Sequence, residues 1–262
     1  MNLKLITHQV VTLSKEVGEF INKESERFKE TDIEEKGLHD LVTYVDKQAE
    51  KLLVKELSKI LPEAGFIVEE DQSLTRGDRF NWIVDPLDGT TNFIHSVPVF
   101  SISIALTDGD KAIMGVVYEL NLKECFYSWK GAPAYLNEKE IKVSIQGDLN
   151  NSLLATGFPY YDYSLLDPYL ELFKDLMKTT RGIRRLGSAA VDLAYVAAGR
   201  FEVFYEYGLN PWDVAAGAFL VQQAGGKVTD FKGNNDYVFG KQIVSSNNLT
   251  HNDFLKKLSS YF

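Results

Sequence analysis

The segment Asp85-Pro86-Leu87-Asp88-Gly89-Thr90-Thr91-Asn92 puts two carboxylates three residues apart on a tight bend. Pro86 fixes φ there, and Gly89 allows a turn that a side chain would block. Two carboxylates so placed suit a pair of hard cations, and the Leu87 carbonyl between them offers a third oxygen. The same residues also make an ordinary turn, since Asp, Pro and Gly are the usual turn formers. Three further features bear on that choice. Glu69-Glu70 ends a predicted strand, where adjacent acids repel unless they are solvated or bound to a cation. Asp213 opens the apolar run 214–220, where the helix macrodipole by itself favours an acid. Asp46 begins the exposed face of a predicted helix, with a solvated charge as its plain explanation. Taken singly, each feature has an ordinary structural reading.

The elements that must position these residues can be read from periodicity. Leu5, Val10, Leu13, Val17, Phe20 and Ile21 give residues 3–29 a helical apolar face opposite Glu and Lys. A polar stretch at 30–40 with Gly37 as breaker follows, then an amphipathic helix over 44–60 ended by Pro62. Residues 66–68 and 81–84 read as strands, the second running into a loop from Asp85 to Asn92. Segments 99–107, 112–118 and 123–129 read as a three-stranded meander with Asp108-Gly109 as its first turn. Beyond residue 150 the pattern alternates: strands near 153–156, 182–186, 201–206 and 242–246, helices near 164–178, 188–198, 211–224 and 250–260. This is α+β joined to α/β, with residues 1–150 as one unit and 151–262 as the other.

The 262 residues carry 28 Lys and Arg against 37 Asp and Glu, a net charge of −9. That balance disfavours nucleic acid and anionic membrane as partners, both of which reward clustered cations. An anionic substrate would need local positive potential from metal ions or helix N-termini. The single cysteine, Cys125, permits neither an internal disulfide nor a cysteine metal cluster, and reads as a small buried side chain. Charged residues interrupt the first twenty positions, and no window holds 18 consecutive apolar residues, so neither a signal peptide nor a membrane span is expected, and the location expected is cytoplasmic.

The segments 40–46, 66–70, 82–93 and 210–217, the last followed by Ala224-Gly225-Gly226, resemble the inositol monophosphatase family, specifically its bacterial members. The resemblance covers essentially the whole chain in order, and 82–93 matches the family's most specific signature. It implies a layered αβαβα sandwich of the sugar-phosphatase type, homodimers and inhibition by Li⁺. It implies Mg²⁺ held by Glu69, Asp85, Asp88, Asp213 and the Leu87 carbonyl, and an Asp46–Thr90 pair orienting the attacking water. It implies backbone N–H groups of Gly89 and Thr90 on the phosphate, Gly187-Ser188-Ala189 and Asp213 beside the substrate, and Glu206 on polyol hydroxyls. The first unit then carries most of the ligands, and the second carries Asp213 and Glu206. Lys36 stands where family members often place a Lys, within a loop that leaves its alignment open. The segment 131–138 departs from the family in lacking a Gly-x-Gly opening and the Gly after Asn137.

Phosphate monoesters hydrolyse so slowly in water that such a site must supply acceleration near the top of the enzymatic range. Side chains do little covalent chemistry in this transfer; they position groups and cancel charge. Carboxylates without His or Cys suit Mg²⁺. The four histidines, His8, His39, His95 and His251, are scattered and suggest no second mechanism. Ser188 lacks an Asp/His partner pattern and reads as a helix N-cap; Arg181, Arg184 and Arg185 could bind a phosphate but read better as a solvated or dimer-facing strand edge. The reaction expected is hydrolysis of inositol monophosphate or another small polyol phosphate. Rivals are a fructose-1,6-bisphosphatase, a histidinol-phosphate phosphatase, a 3′-nucleotidase, or a regulatory relative that has lost the chemistry. Thr91-Asn92-Phe93, where nucleotidases of this type carry Lys or Arg after Asp-Gly-Thr, and Glu206 both favour a polyol.

Overall fold

The computed structural model describes residues 1–28, 33–37 and 40–262, without the side chains of 33–37, 40 and 41. The first helix, α1 (Leu3–Ser25), is followed by β1 (Ile33–Gly37), β2 (Asp40–Thr43) and α2 (Tyr44–Ile60). A seven-stranded sheet comes next: β3 (Gly65–Val68), β4 (Phe80–Asp88), then, after the short helix α3 (Thr90–Ile94), β5 (Ser101–Asp108), β6 (Lys111–Glu119), β7 (Glu124–Trp129), β8 (Ala134–Leu136) and β9 (Lys139–Ile141). Its strands lie in chain order, parallel between β3 and β4 and antiparallel from there on. The remaining elements are β10 (Leu153–Thr156), α4 (Leu166–Thr179), β11 (Gly182–Arg184), α5 (Ala189–Ala197), β12 (Val203–Tyr207), α6 (Pro211–Gln223), β13 (Lys227–Thr229), β14 (Gln242–Ser246) and α7 (His251–Leu258). Their five strands form a mixed sheet in the order β11-β10-β12-β14-β13.

Three cores separate five layers. Ile6, Val10, Leu13, Val17 and Ile21 of α1 and Leu53 and Leu57 of α2 bury against one face of the seven-stranded sheet. On its other face lies the second core, in which α5 and α6 pack between the two sheets. The third core sets Tyr169, Leu172 and Leu176 of α4 and Phe254 and Leu258 of α7 against the far side of the five-stranded sheet. The sequence follows this burial. Outer helices are two-faced, whereas α5 (AAVDLAYVA) and α6 (PWDVAAGAFLVQQ) are apolar nearly all round because both faces are covered. Truncating a fully buried leucine such as Leu53 to Ala would cost about 2–5 kcal/mol. The layered αβαβα expectation is met. No helix among the described residues is long and apolar enough to cross a membrane.

Several local readings need correction. The polar stretch 30–40 contains strand β1, which pairs antiparallel with β2. Leu5 is exposed, and Ile6 takes its place in the core. The expected loop from Asp85 to Asn92 is mostly regular: β4 continues to Asp88, and α3 begins at Thr90. Pro86 is tolerated inside the strand because the β4–β5 register breaks between Asp85 and Asp88, leaving a position that needs no ladder N–H. Strands β8, β9 and β13, three residues each, are too short to leave a periodic signal.

Candidate functional site

The irregularity in β4 aims the Asp85–Asp88 segment into a pocket between the two sheets, lined also by Glu69, Thr90, Glu206 and Asp213. Oxygens of Asp85, Asp88 and Asp213 lie within 4.8 Å of one another, although Asp213 is 125 residues further along than Asp88. Each of these carboxylates is anchored by one oxygen. Asp85 Oδ1 accepts the Leu87 N–H at 2.9 Å. Asp88 Oδ2 accepts the Ser188 hydroxyl at 2.6 Å and the Ala190 N–H at 2.7 Å, so it sits on the N-terminus of α5. Asp213 Oδ2 accepts the Asn210 N–H at 2.7 Å at the start of α6. The second oxygen of each is left for the centre. The helix-end explanation of Asp213 is therefore correct for half of its carboxylate only.

Glu69 is in hydrogen-bonding contact with Asp85. Its place is fixed from α2, where the buried Glu50 accepts the N–H groups of Glu70 at 2.8 Å and Asp71 at 2.7 Å. Thr90 Oγ1 lies 3.0 Å from Asp46 Oδ1 and 3.1 Å from the Leu87 carbonyl oxygen. Asp46 is not a solvated charge: it is buried, and its Oδ2 accepts the N–H of Thr43 at 2.8 Å. With Thr43 it forms a capping box that starts α2, and this turns the carboxylate inward. Gly89, in the left-handed region at φ 99°, carries the chain from β4 into α3. A Cβ there would stand 3.1 Å from the Val99 carbonyl and 3.2 Å from that of Gly187, so glycine is needed both for φ and for the crossing.

Electrostatics explain what such a cluster requires. Burial pushes Asp85 well above the usual carboxylate range, and the charges of Glu69, Asp88 and Asp213 add to it. Burial raises Asp88 to about 6 against the hydrogen bonds from Ser188 and α5. Asp213 rises to about 8, by burial and then by the charge of Asp88. Burial also raises Asp46, opposed by its bonds to Thr43 and Thr90. Convergent carboxylates in a half-closed site stay ionised when a divalent cation offsets their repulsion. The donors are carboxylate oxygens with a carbonyl nearby, a set that fits a hard cation such as Mg²⁺.

The other side of the pocket is formed by Gly187, Ser188, Ala189, Arg185, Asp192 and Glu206. Ser188 caps α5 through the Val191 N–H, as the sequence suggested. Glu206, on β12, packs so closely on Gly157 that a Cβ there would come within 2.1 Å of its carboxylate oxygens. Burial and the charge of Asp213 raise Glu206, and Arg185 opposes them. Arg185 corrects the strand-edge reading. Arg184 and Arg185 are both exposed, but Arg185, just past the end of β11, also lines the pocket. Its Nη2 donates to Tyr160 Oη at 2.6 Å, and its guanidinium stands 5.7 Å from the centre of the Phe158 ring.

Sequence reasoning also passed over Asp192 and Glu50. The signal for Asp192 was present, a lone acid in an otherwise apolar helix. Among the described histidines none lines the pocket: His8 packs beside Tyr127, His95 ends α3, and His251 is buried between Thr229 and Ser246. His39 and the side chain of Lys36 lie outside the described residues. Cys125 is buried, its thiol pushed up to about 12 by burial, and is chemically inert.

Comparison with known proteins agrees with the family resemblance and the fold. The profile of the inositol monophosphatase family matches residues 2–261. The chain is 43% identical over 239 residues to Nus factor SuhB of Pseudomonas aeruginosa, covering 89% of this chain and 88% of that protein. It is 37% identical over 246 residues to an inositol-1-monophosphatase of Mesorhizobium japonicum, covering 94% and 90% respectively. A solved structure of an IMPase from Thermotoga maritima superposes with a TM-score of 0.88 at 36% identity, over 97% of this chain and 96% of that one.

Proposed function

We propose, on the premise that this chain belongs to the inositol monophosphatase family, that it is a Mg²⁺-dependent phosphatase hydrolysing inositol monophosphate or a closely similar polyol phosphate. The observation that carries the reading is the convergence of Asp85, Asp88 and Asp213 oxygens within 4.8 Å, in a pocket whose far wall holds Glu206. In this reading Glu69, Asp85, Asp88, Asp213 and the Leu87 carbonyl hold the cations. Bound there, Mg²⁺ supplies charge neutralisation for the phosphate and a more acidic water.

The protein's own groups do the positioning. Asp46 accepts the Thr90 hydroxyl proton, which leaves Thr90 Oγ1 free to accept from the attacking water and, with Glu69, to aim it at phosphorus. The backbone N–H groups of Gly89 and Thr90 face the phosphate oxygens. A bond forms from the water oxygen to phosphorus as the ester P–O bond breaks; the attacking water gives up a proton to solvent, and the departing alkoxide takes one up from a neighbouring water, so the charge balances. Gly187, Ser188 and Ala189 border the substrate, and Glu206 accepts a hydroxyl of the alcohol. Because Ser188 already donates to Asp88 and caps α5, no covalent intermediate is needed or expected.

A substrate panel tests this. Inositol 1-phosphate, fructose 1,6-bisphosphate, histidinol phosphate and adenosine 3′,5′-bisphosphate are assayed with and without Mg²⁺. The expected result is Mg²⁺-dependent release of phosphate, fastest from the inositol ester and inhibited by millimolar Li⁺. Preference for a bisphosphate or nucleotide would move the chain to another branch of the family, and no hydrolysis of any ester would reject the enzyme reading. The reading also carries a homodimer, checked by sedimentation, and a cytoplasmic location.

The Nus factor name of the Pseudomonas aeruginosa relative supports a second reading, a role independent of hydrolysis. Expressing the wild-type chain and Asp88→Asn in cells of that organism lacking their own SuhB tests it. Rescue by both proteins supports such a role; rescue by the wild type alone ties the function to the cation cluster.

A further inference from the structure

One buried carboxyl in the pocket has no part in the hydrolysis just described. Asp192 stands in α5 among Ala, Val, Leu and Tyr. It is 1% exposed, it lines the same pocket as Glu206 and Arg185, and its Oδ1 has no hydrogen-bond partner among the described residues. A buried oxygen left without a donor costs about 1–3 kcal/mol, and more when charged. The fold gains nothing visible in return: Ser188 already caps the helix, and the rest of its turns are packed by apolar side chains. Asp192 is not one of the acids whose oxygens converge within 4.8 Å, so the cation cluster does not explain it. Burial raises its pKa most, the charges of Glu206 and Asp88 add to that, and Arg185 opposes them. An anion would be repelled by two acids here, and an apolar group would leave the oxygen unsatisfied. A neutral group that donates hydrogen bonds fits.

We propose that Asp192 is a specificity-determining residue, its carboxyl accepting a hydrogen bond from a second substrate hydroxyl beside the one that Glu206 accepts. The pocket then selects phosphate esters of alcohols that carry at least two further hydroxyls. This rests on the phosphatase reading above and adds the number of hydroxyls that are read.

The experiment compares kcat and KM on inositol 1-phosphate and on 4-nitrophenyl phosphate, which has no hydroxyl to offer. The proteins are the wild type, Asp192→Leu and Asp192→Asn, each checked for a cooperative melting transition. In Asp192→Leu the preference for the inositol ester, as the ratio of the two kcat/KM values, falls about 10- to 100-fold, the worth of one hydrogen bond to a charged group. The loss is expected mainly in KM. Asp192→Asn keeps an acceptor oxygen at the same reach and loses less. Equal losses on both esters, or no loss on either, overturn the proposal and leave Asp192 a structural residue. Should Asp192→Leu fail to fold, inositol phosphates lacking single hydroxyls are run on the wild type and Asp192→Asn. One missing hydroxyl should then erase the difference between the two proteins, and a difference that persists unchanged across all analogues overturns the proposal. A wild type that cleaves neither ester rejects the phosphatase reading itself. In that case the calorimetric affinity for free inositol, weaker in Asp192→Leu or not, decides whether Asp192 reads hydroxyls.

Discussion

At the cation end of the pocket, Asp85, Asp88 and Asp213 each give one oxygen to a donor of the protein. At the alcohol end, Asp192 keeps an oxygen with no such donor among the described residues, and Glu206 is pressed against the bare backbone of Gly157. Both ends are acidic and both are buried, so burial alone does not distinguish them. The difference lies in what has been done for the charge. Anchoring one oxygen fixes a carboxylate against the repulsion of its neighbours and aims the other at a common point, as a cation site demands. Leaving an oxygen unpaired makes the protein depend on a ligand to supply the donor, a cost that a site for a hydroxylated substrate recovers on binding.

The strongest way to break this contrast is at the anchored end. Asp88→Asn keeps an acceptor for Ser188 and for the N-terminus of α5 but removes a negative charge from the cluster. Mg²⁺-dependent hydrolysis should fall by about 10³-fold or more, since losing one group that stabilises the transition-state charge already costs 10²–10³. The melting temperature without metal should hold or rise, because a repulsive charge has gone. Retained hydrolysis, measured as phosphate release under saturating Mg²⁺, would show that the cluster is not catalytic.

At the other end the sharpest probe is Gly157→Ala. The new Cβ would fall 2.1 Å from the Glu206 oxygens, so the carboxylate must move. The kcat/KM on inositol 1-phosphate should drop about 10- to 100-fold, as for a lost charged hydrogen bond. The drop on 4-nitrophenyl phosphate should be smaller. Equal drops would mean that the two ends are not separable.

A smaller effect follows from the titration of the metal-free protein. Asp88 is raised to about 6 and Asp213 to about 8, above the 3.8 of an ordinary aspartate. Groups with a raised folded pKa bind protons more tightly in the native state, so their stabilising contribution is full below about pH 4 and is lost as pH rises toward 8. Mg²⁺ acts only on the ionised cluster. The melting-temperature gain from saturating Mg²⁺ should therefore be several degrees larger at pH 8 than at pH 5, and Asp88→Asn should flatten that dependence. A gain independent of pH would place the ion elsewhere.

Much of the cation end was legible because its residues lie on local motifs. Asp85-Pro86-Leu87-Asp88-Gly89 carries its bend in its own composition, and Asn210-Pro211 announces the helix whose first turn holds Asp213. What could not be read is what depends on crossings between distant segments. Asp46 looked like a surface charge because a capping box and a buried partner at Thr90, 44 residues away, cannot be seen in helical periodicity. Gly157 looks like any loop glycine until Glu206 is laid against it. Arg184 and Arg185 are adjacent and both exposed, and only the turn after β11 sets Arg185 at the rim of the pocket. The side chain of Asp192 was visible as an oddity, but apolar periodicity in a helix covered on both faces carries no phase to say which way it points.

The smallest expected effect concerns Ser188, which belongs to neither end but joins them. Its hydroxyl donates to Asp88 Oδ2 at 2.6 Å, accepts the Val191 N–H at 3.3 Å and lies 3.2 Å from the hydroxyl of Ser101. Ser188→Ala removes a cap, worth about 1 kcal/mol of stability by denaturant titration. It also removes one of the donors to Asp88, while the Ala190 N–H still holds that oxygen. With the anchor weakened and not lost, kcat should fall by about 10-fold or less, far from the roughly 10⁶-fold expected of a nucleophile. The loss should be alike on the inositol and nitrophenyl esters, because the damage reaches the chemistry through Asp88 and not through the alcohol. A loss confined to the inositol ester would instead make Ser188 a hydroxyl reader, and the division between anchored and unanchored acids would have to be redrawn around it.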